Sequence, residues 1–109
     1  MSKRYIPDTG DIIHVHFEAR GRGASSSYKP AMVLSPQAYN KRTGLMVCCP
    51  ITPSIKGYPF EVPIEGGAVL SDQVKSLGWA DSKISFHGRI GPADLAQVRA
   101  KLHALIFKD

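Results

Sequence analysis

Long apolar runs are missing from this chain. The longest, residues 31–34 and 45–49, are far shorter than the roughly 20 residues a helix needs to cross a bilayer. The first residues, MSKRYIPDTGD, contain no apolar stretch like that of a secretory signal, so a cytoplasmic protein is expected, with no membrane association. Cysteine is scarce. The only two, Cys48 and Cys49, are adjacent. Neighbouring thiols with no second pair suit neither a disulfide framework nor a zinc site, which leaves core thiols. There is no lysine–arginine block, no internal repeat and no linker. The one low-complexity stretch is a short Gly/Ser segment at residues 21–27.

What is present describes one small domain, expected to span residues 1–109. Hydrophobic residues make up 43% and charged residues 21%, enough for a core and against wholesale disorder. A domain of this size buries only roughly two thirds of the surface its unfolded chain exposes. The net charge of +5 favours an anionic partner such as nucleic acid. The cations are dispersed, among them Arg20, Arg22, Lys29, Lys41, Lys56, Lys75 and Arg89, as on a folded surface rather than a basic tail.

Residues 11–18, DIIHVHFE, alternate. Ile13, Val15 and Phe17 share one face, and Ile12, His14 and His16 the other, which predicts a strand with one buried face. Pro30 forces Lys29 into extended backbone, and residues 31–35 predict a second strand. Residues 36–43 predict a turn-rich crossing, since Asn40 to Gly44 should break a helix. Residues 45–52 are nearly all apolar and predict a central strand; 58–63, 68–70 and 73–77 predict shorter ones. Gly91-Pro92-Ala93-Asp94 then opens a helix, with proline early and an acid in the first turn. Leu95, Val98, Leu102, Leu105 and Ile106 fall on one helical face. Short strands followed by one amphipathic helix predict a mainly β fold, a small curled antiparallel barrel with a packed C-terminal α-helix.

The stretches RYIPDTGDI, KPAMVLSPQAYNKRTG, CCPITPSIKGYPFEV and VLSDQVKSLGW resemble the MazF/PemK family of toxin endoribonucleases, in order and along nearly the whole chain. The resemblance implies an SH3-like barrel, a homodimer, and metal-independent, cofactor-free cleavage of single-stranded RNA at short sequences. It also implies a cognate antitoxin whose disordered C-terminal segment covers the RNA groove. In that chemistry the ribose 2′-OH attacks the adjacent phosphorus and the 5′-oxygen leaves. A base, positive charge on the developing phosphorane, and an acid are needed. The family's arginine before the proline of the second strand corresponds to Lys29, and its threonine after the third strand to Thr52. Lysine there is a departure, because an ammonium is a point charge where a guanidinium is a fork. A second departure is FEARGRGASSSYKP, which has Ala24 and Ser25 where relatives carry glutamate and glutamine.

Each candidate has an ordinary reading beside the functional one. Lys29 is otherwise a solvated lysine, and Thr52 a strand-end residue bonding near Ser54. Lys56 precedes Gly57 at a turn and is either exposed or on a phosphate. Asp72 and Gln73 are turn punctuation, or an acid–base group and a base-reading amide. Arg20 and Arg22 supply cations for the RNA backbone, and Tyr28, bordering their loop, is the best-placed ring to stack on a base. His16 is a further proton-carrier candidate. His14 and His16 share a strand face, but two ligands without a third make a weak metal site. Two functions stay open: an RNase toxin, or a weakened relative serving as a binding module or as a toxin on another target such as gyrase.

Overall fold

The computed structural model describes residues 4–17 and 27–107. Seven strands and two helices follow in the order β1 (Asp11–Phe17), β2 (Ser27–Val33), α1 (Gln37–Thr43), β3 (Leu45–Thr52), β4 (Glu61–Ile64), β5 (Gly67–Leu70), β6 (Lys75–Gly78), β7 (Ile84–Arg89) and α2 (Pro92–Ile106), with a 3₁₀ turn at Ser71–Gln73. All strand pairs are antiparallel, in the order β4-β5-β3-β2-β1-β7, and β6 also pairs with β3. The fold is mainly β with one C-terminal helix and is close to an SH3-like barrel. The sheet is not closed, because β4 and β7 end the path without pairing to each other.

The continuous apolar run of β3 has a direct cause: both faces of this strand are covered. Met46 and Cys48 point into an inner core with Ile13, Val15, Ala31, Val33 and Trp79. Cys49 points the other way, into an outer core with Met32, Val62, Val69, Val98 and Leu102. A strand buried on both sides has no polar face to alternate with. β3 is also the hub, pairing with β2 through Cys48–Pro50, with β6 through Leu45–Cys48 and with β5 through Ile51 and Thr52.

Helix α1 overturns the expected turn-rich crossing at 36–43. The supposed breaker, Asn40, is fully buried and its side chain is taken up by tertiary partners. Its Nδ2 donates to the carbonyls of Pro7 (2.8 Å) and Ser35 (3.0 Å), and its Oδ1 accepts from Ser35 Oγ (2.6 Å). An asparagine so occupied no longer competes for the helix backbone. Gly44, at φ 73°, ends the helix rather than preventing it, and donates its N–H to the Asn40 carbonyl.

Other strand bounds move, β6 to Lys75–Gly78 from the expected 73–77 and the end of β2 to Val33 from 35, and one strand is new. β2 begins before Pro30, so Lys29 lies inside the strand. β4 starts at Glu61 rather than 58, after a turn in which Glu61 N–H donates to the Tyr58 carbonyl. β7 has no counterpart among the expected strands; Ile84 and Phe86 alternate with Ser85, His87 and Arg89, but the run is short and its residues are exposed or half-buried. Its register against β1 shifts between Ile12 and Ile13, which leaves His87 as an extra, unopposed residue. Asp11, buried, ties this seam by accepting from Tyr5 OH and from Arg89 Nη1 at 2.9 Å. Helix α2 keeps its predicted stripe only in part. Val98 and Leu102 are buried, whereas Leu105 and Ile106 are exposed, since the outer core ends before the helix does.

Candidate nucleic-acid site

Alternation along β2 decides where Lys29 points. Lys29, Ala31 and Val33 share one face, and the latter two lie in the inner core. Lys29 is therefore the next residue of the core face, at the end where burial stops. On β3 the same face runs Met46, Cys48, Pro50, Thr52, from fully buried to half-buried. The candidate site is thus the open end of the inner core, where strand faces that begin apolar finish polar.

Two neighbouring hollows occupy this end. The first is lined by Val15, Lys29, Cys48, Pro50, Lys75 and Leu77, and no carboxylate is among its described lining residues. The second is lined by Thr52, Ser54, Lys56, Asp72 and Gln73, with Tyr58 and Glu61. Pro50 and Thr52 lie two residues apart on one face of β3, so the hollows follow one another at about 7 Å. Thr52, Lys56, Asp72 and Gln73, scattered over 22 positions of sequence, meet in the second hollow. Lys29 belongs to the first.

Local bonds order this surface. Thr52 Oγ1 accepts the Ser54 N–H at 3.1 Å, which leaves its own hydrogen available to an outside acceptor. Glu61, nearly buried, accepts the N–H groups of Lys56 (3.0 Å) and Gly57 (2.7 Å) on its Oε1 and so holds the turn that carries Lys56. Gly67 passes so close to Thr52 that a Cβ there would overlap the Thr52 carbonyl oxygen. Cys48 in the first hollow is no nucleophile: burial pushes its thiol up to about 11, against a smaller lowering by Lys75. Cys49 is pushed up to about 12, by burial first and then by Cys48 and Asp72.

The other candidates lie elsewhere. His16 pairs in register with Tyr28, their rings 4.7 Å apart, and Val15 pairs with Lys29. Adjacent residues of a strand face opposite ways, so His16 and Tyr28 lie on the other face of the β1–β2 ladder from Lys29. His14 stacks on His87 at 3.6 Å. Among the described residues, no three of His, Cys, Asp and Glu group as metal ligands. Arg20, Arg22 and Ala24 fall outside the described residues.

The profile of the PemK-like, MazF-like toxins of type II toxin–antitoxin systems matches residues 8–106. The chain belongs to this family. The endoribonuclease toxin MazF of Escherichia coli K12 is 42% identical over 97% of this chain and 99% of its own length. Among solved structures, a MazE–MazF crystal form from Deinococcus radiodurans matches with a TM-score of 0.89 at 39% identity, covering 97% of this chain and 100% of that one. A mycobacterial endoribonuclease in complex with its antitoxin shares the fold, with a TM-score of 0.76 at 20% identity over 94% of this chain and 97% of that one.

Within this family member, sequence patterns missed Glu61, Gly67 and Lys75 as residues that shape the hollows. The Glu61 carboxylate accepts backbone N–H groups and Gly67 packs on a backbone carbonyl, contacts that residue type alone does not reveal. Lys75 carried one: it stands two places after Gln73 in the motif DQVKS.

Proposed function

We infer that this protein is a metal-independent endoribonuclease toxin of one domain, residues 1–109. It cuts single-stranded RNA in the cytoplasm as a homodimer and is silenced by a cognate antitoxin. The family membership supports it, as do the activity named for the Escherichia coli relative and the MazE–MazF complexes of Deinococcus radiodurans. The observation that carries it is the common face: Lys29, Thr52 and the residues around them end the inner core together, in two adjoining hollows open to a strand of RNA.

In this reading the 2′-OH attacks the adjacent phosphorus, the bond to the 5′-oxygen breaks, and the products end in 2′,3′-cyclic phosphate and 5′-OH. The nucleophile is already attached beside its target, so positioning and charge are what the protein supplies. Lys29 neutralises the charge that grows on the non-bridging oxygens. Thr52, its oxygen already accepting the Ser54 N–H, donates its hydroxyl hydrogen to the same phosphate. Asp72 shares the hollow of Thr52 and is the first choice for proton transfer, with His16, on the other face of the ladder, the second. Gln73 reads a base edge, Lys56 meets a neighbouring phosphate, and Arg20, Arg22 and Tyr28 extend the contact.

Incubation with a long single-stranded RNA in EDTA, with the new ends mapped, tests this. Cuts at recurrent short sequences bearing 5′-OH and 2′,3′-cyclic phosphate are expected. RNA that is bound but left intact would overturn the enzyme in favour of a binding module, the outcome to which Lys29 and Ala24 would then be the key.

A further inference from the structure

We propose that Lys75 is a phosphate-binding residue that works as a pair with Lys29, the two ammonium groups holding one RNA phosphate in the first hollow. The identity of the anion as an RNA phosphate rests on the ribonuclease reading; the two-cation grip rests on the geometry. Lys29 enters from β2 and Lys75 from β6, and both strands pair with β3. Cys48 faces Val33 on the β2 side and Lys75 on the β6 side. The two lysines therefore enter from opposite sides of β3, with Lys29 four residues along β2 from Val33, so their backbones lie about 16 Å apart at ordinary strand rise and spacing. Both side chains line the same hollow, where their tips can close on a small anion from either side.

The floor and walls between them are Cys48, Pro50, Val15 and Leu77, and no described lining residue is acidic. Both lysines stand at the exposed rim of this apolar floor, where one anion can be drawn to both charges. Free inorganic phosphate and a backbone phosphate offer the same oxygens. The second hollow favours the polymer, because Thr52 continues the β3 face two residues beyond Pro50, and Gln73 stands two residues before Lys75 in the adjoining 3₁₀ turn.

The pair also accounts for a lysine at position 29. An arginine fork spans two phosphate oxygens by itself, whereas one ammonium takes one. A second ammonium from β6 supplies the other half of the grip. It follows that Lys75 matters less once position 29 carries an arginine.

The test uses the full chain and an all-2′-deoxy oligonucleotide, which cannot be cut, with binding read by fluorescence anisotropy. Lys75→Ala and Lys29→Ala should each weaken binding about tenfold, the scale of one lost charge-assisted hydrogen bond. The double variant should lose little more than either single one, because both cations serve one phosphate. Lys75→Ala in a Lys29→Arg background should cost less than about threefold. Lys41→Ala on α1, which lines neither hollow, should change nothing. Melting curves check folding, and Lys75→Met, which keeps the chain length, replaces Lys75→Ala if that variant fails to fold.

Unchanged affinity on removing the Lys75 charge would overturn the proposal. So would losses that multiply in the double variant, which would put the lysines on separate phosphates. If the parent cuts no RNA yet binds the oligonucleotide with this lysine dependence, the ribonuclease reading fails and the pair stands. If only inorganic phosphate, titrated in parallel, binds with that dependence, the ligand is the free anion and the RNA assignment falls.

Discussion

At the scale of single residues, the proposed chemistry turns on position 29. Its place on the core face beside Ala31 and Val33 gives it a fixed strand backbone, and Pro30 removes the freedom to leave it. A cation held this way need not reorganise as negative charge develops, and such preorganised contacts are worth on the order of 3 kcal/mol. Lys29→Ala should therefore slow RNA cleavage roughly a hundredfold. Lys29→Arg should hold or raise the rate, since the fork returns. Initial rates on a single defined RNA check both, and a Lys29→Ala variant as fast as the parent would make the lysine a solvated strand residue.

At the scale of elements, α1 depends on one side chain. Asn40 links the N-terminal strap at Pro7, the segment after β2 at Ser35 and the helix, while its carbonyl accepts from Trp79 Nε1 at 2.8 Å. Asn40→Ala leaves buried partners unsatisfied and should cost about 3 kcal/mol, read as a lower denaturant midpoint at unchanged slope. The β1–β7 seam carries a different signature. Burial, and then the neighbouring His87, lower the pKa of His14 below its ordinary 6.5. The folded state thus favours neutral His14 more than the unfolded chain does. Its contribution is fully present above pH 6.5 and is lost as pH falls below it. The melting temperature should drop between pH 7 and pH 5, and His14→Gln should remove part of that drop.

At the scale of the whole molecule, the net charge of +5 and the small size set the terms. One copy offers only a short basic surface, and symmetric pairing of two copies is the commonest way to extend one. Light scattering at micromolar concentration should give a dimer mass; a monomer would contradict the proposed assembly. RNA affinity should fall steeply with salt, with each neutralised phosphate adding about 0.7 to the logarithmic slope for a single strand. Lys56→Ala should reduce that slope by about one such step, and an affinity indifferent to a fourfold change in salt would point to a protein ligand instead.

The sequence by itself determined the elements whose environment is one-sided or uniform. β1 was legible because Ile13 and Val15 are buried while His14 and His16 are not, and β3 because both its faces are covered. The start of α2 was legible because Pro92 and Asp94 act within one turn. The family motifs offered Lys29, Thr52, Lys56, Asp72 and Gln73 as candidates, and these line the two hollows. Tertiary structure alone decided the rest. It made a helix of residues 37–43, because Asn40 found its partners 33 and 5 residues away rather than in its own turn. It fixed β7, whose short alternation of Ile84 and Phe86 buries no face fully, by pairing it to β1 and clamping Arg89 to Asp11. And it divided the candidate residues between two hollows, bringing Lys75 into the same hollow as Lys29. Which side chains converge depends on strand order and register, and those are set by contacts between segments far apart in the chain.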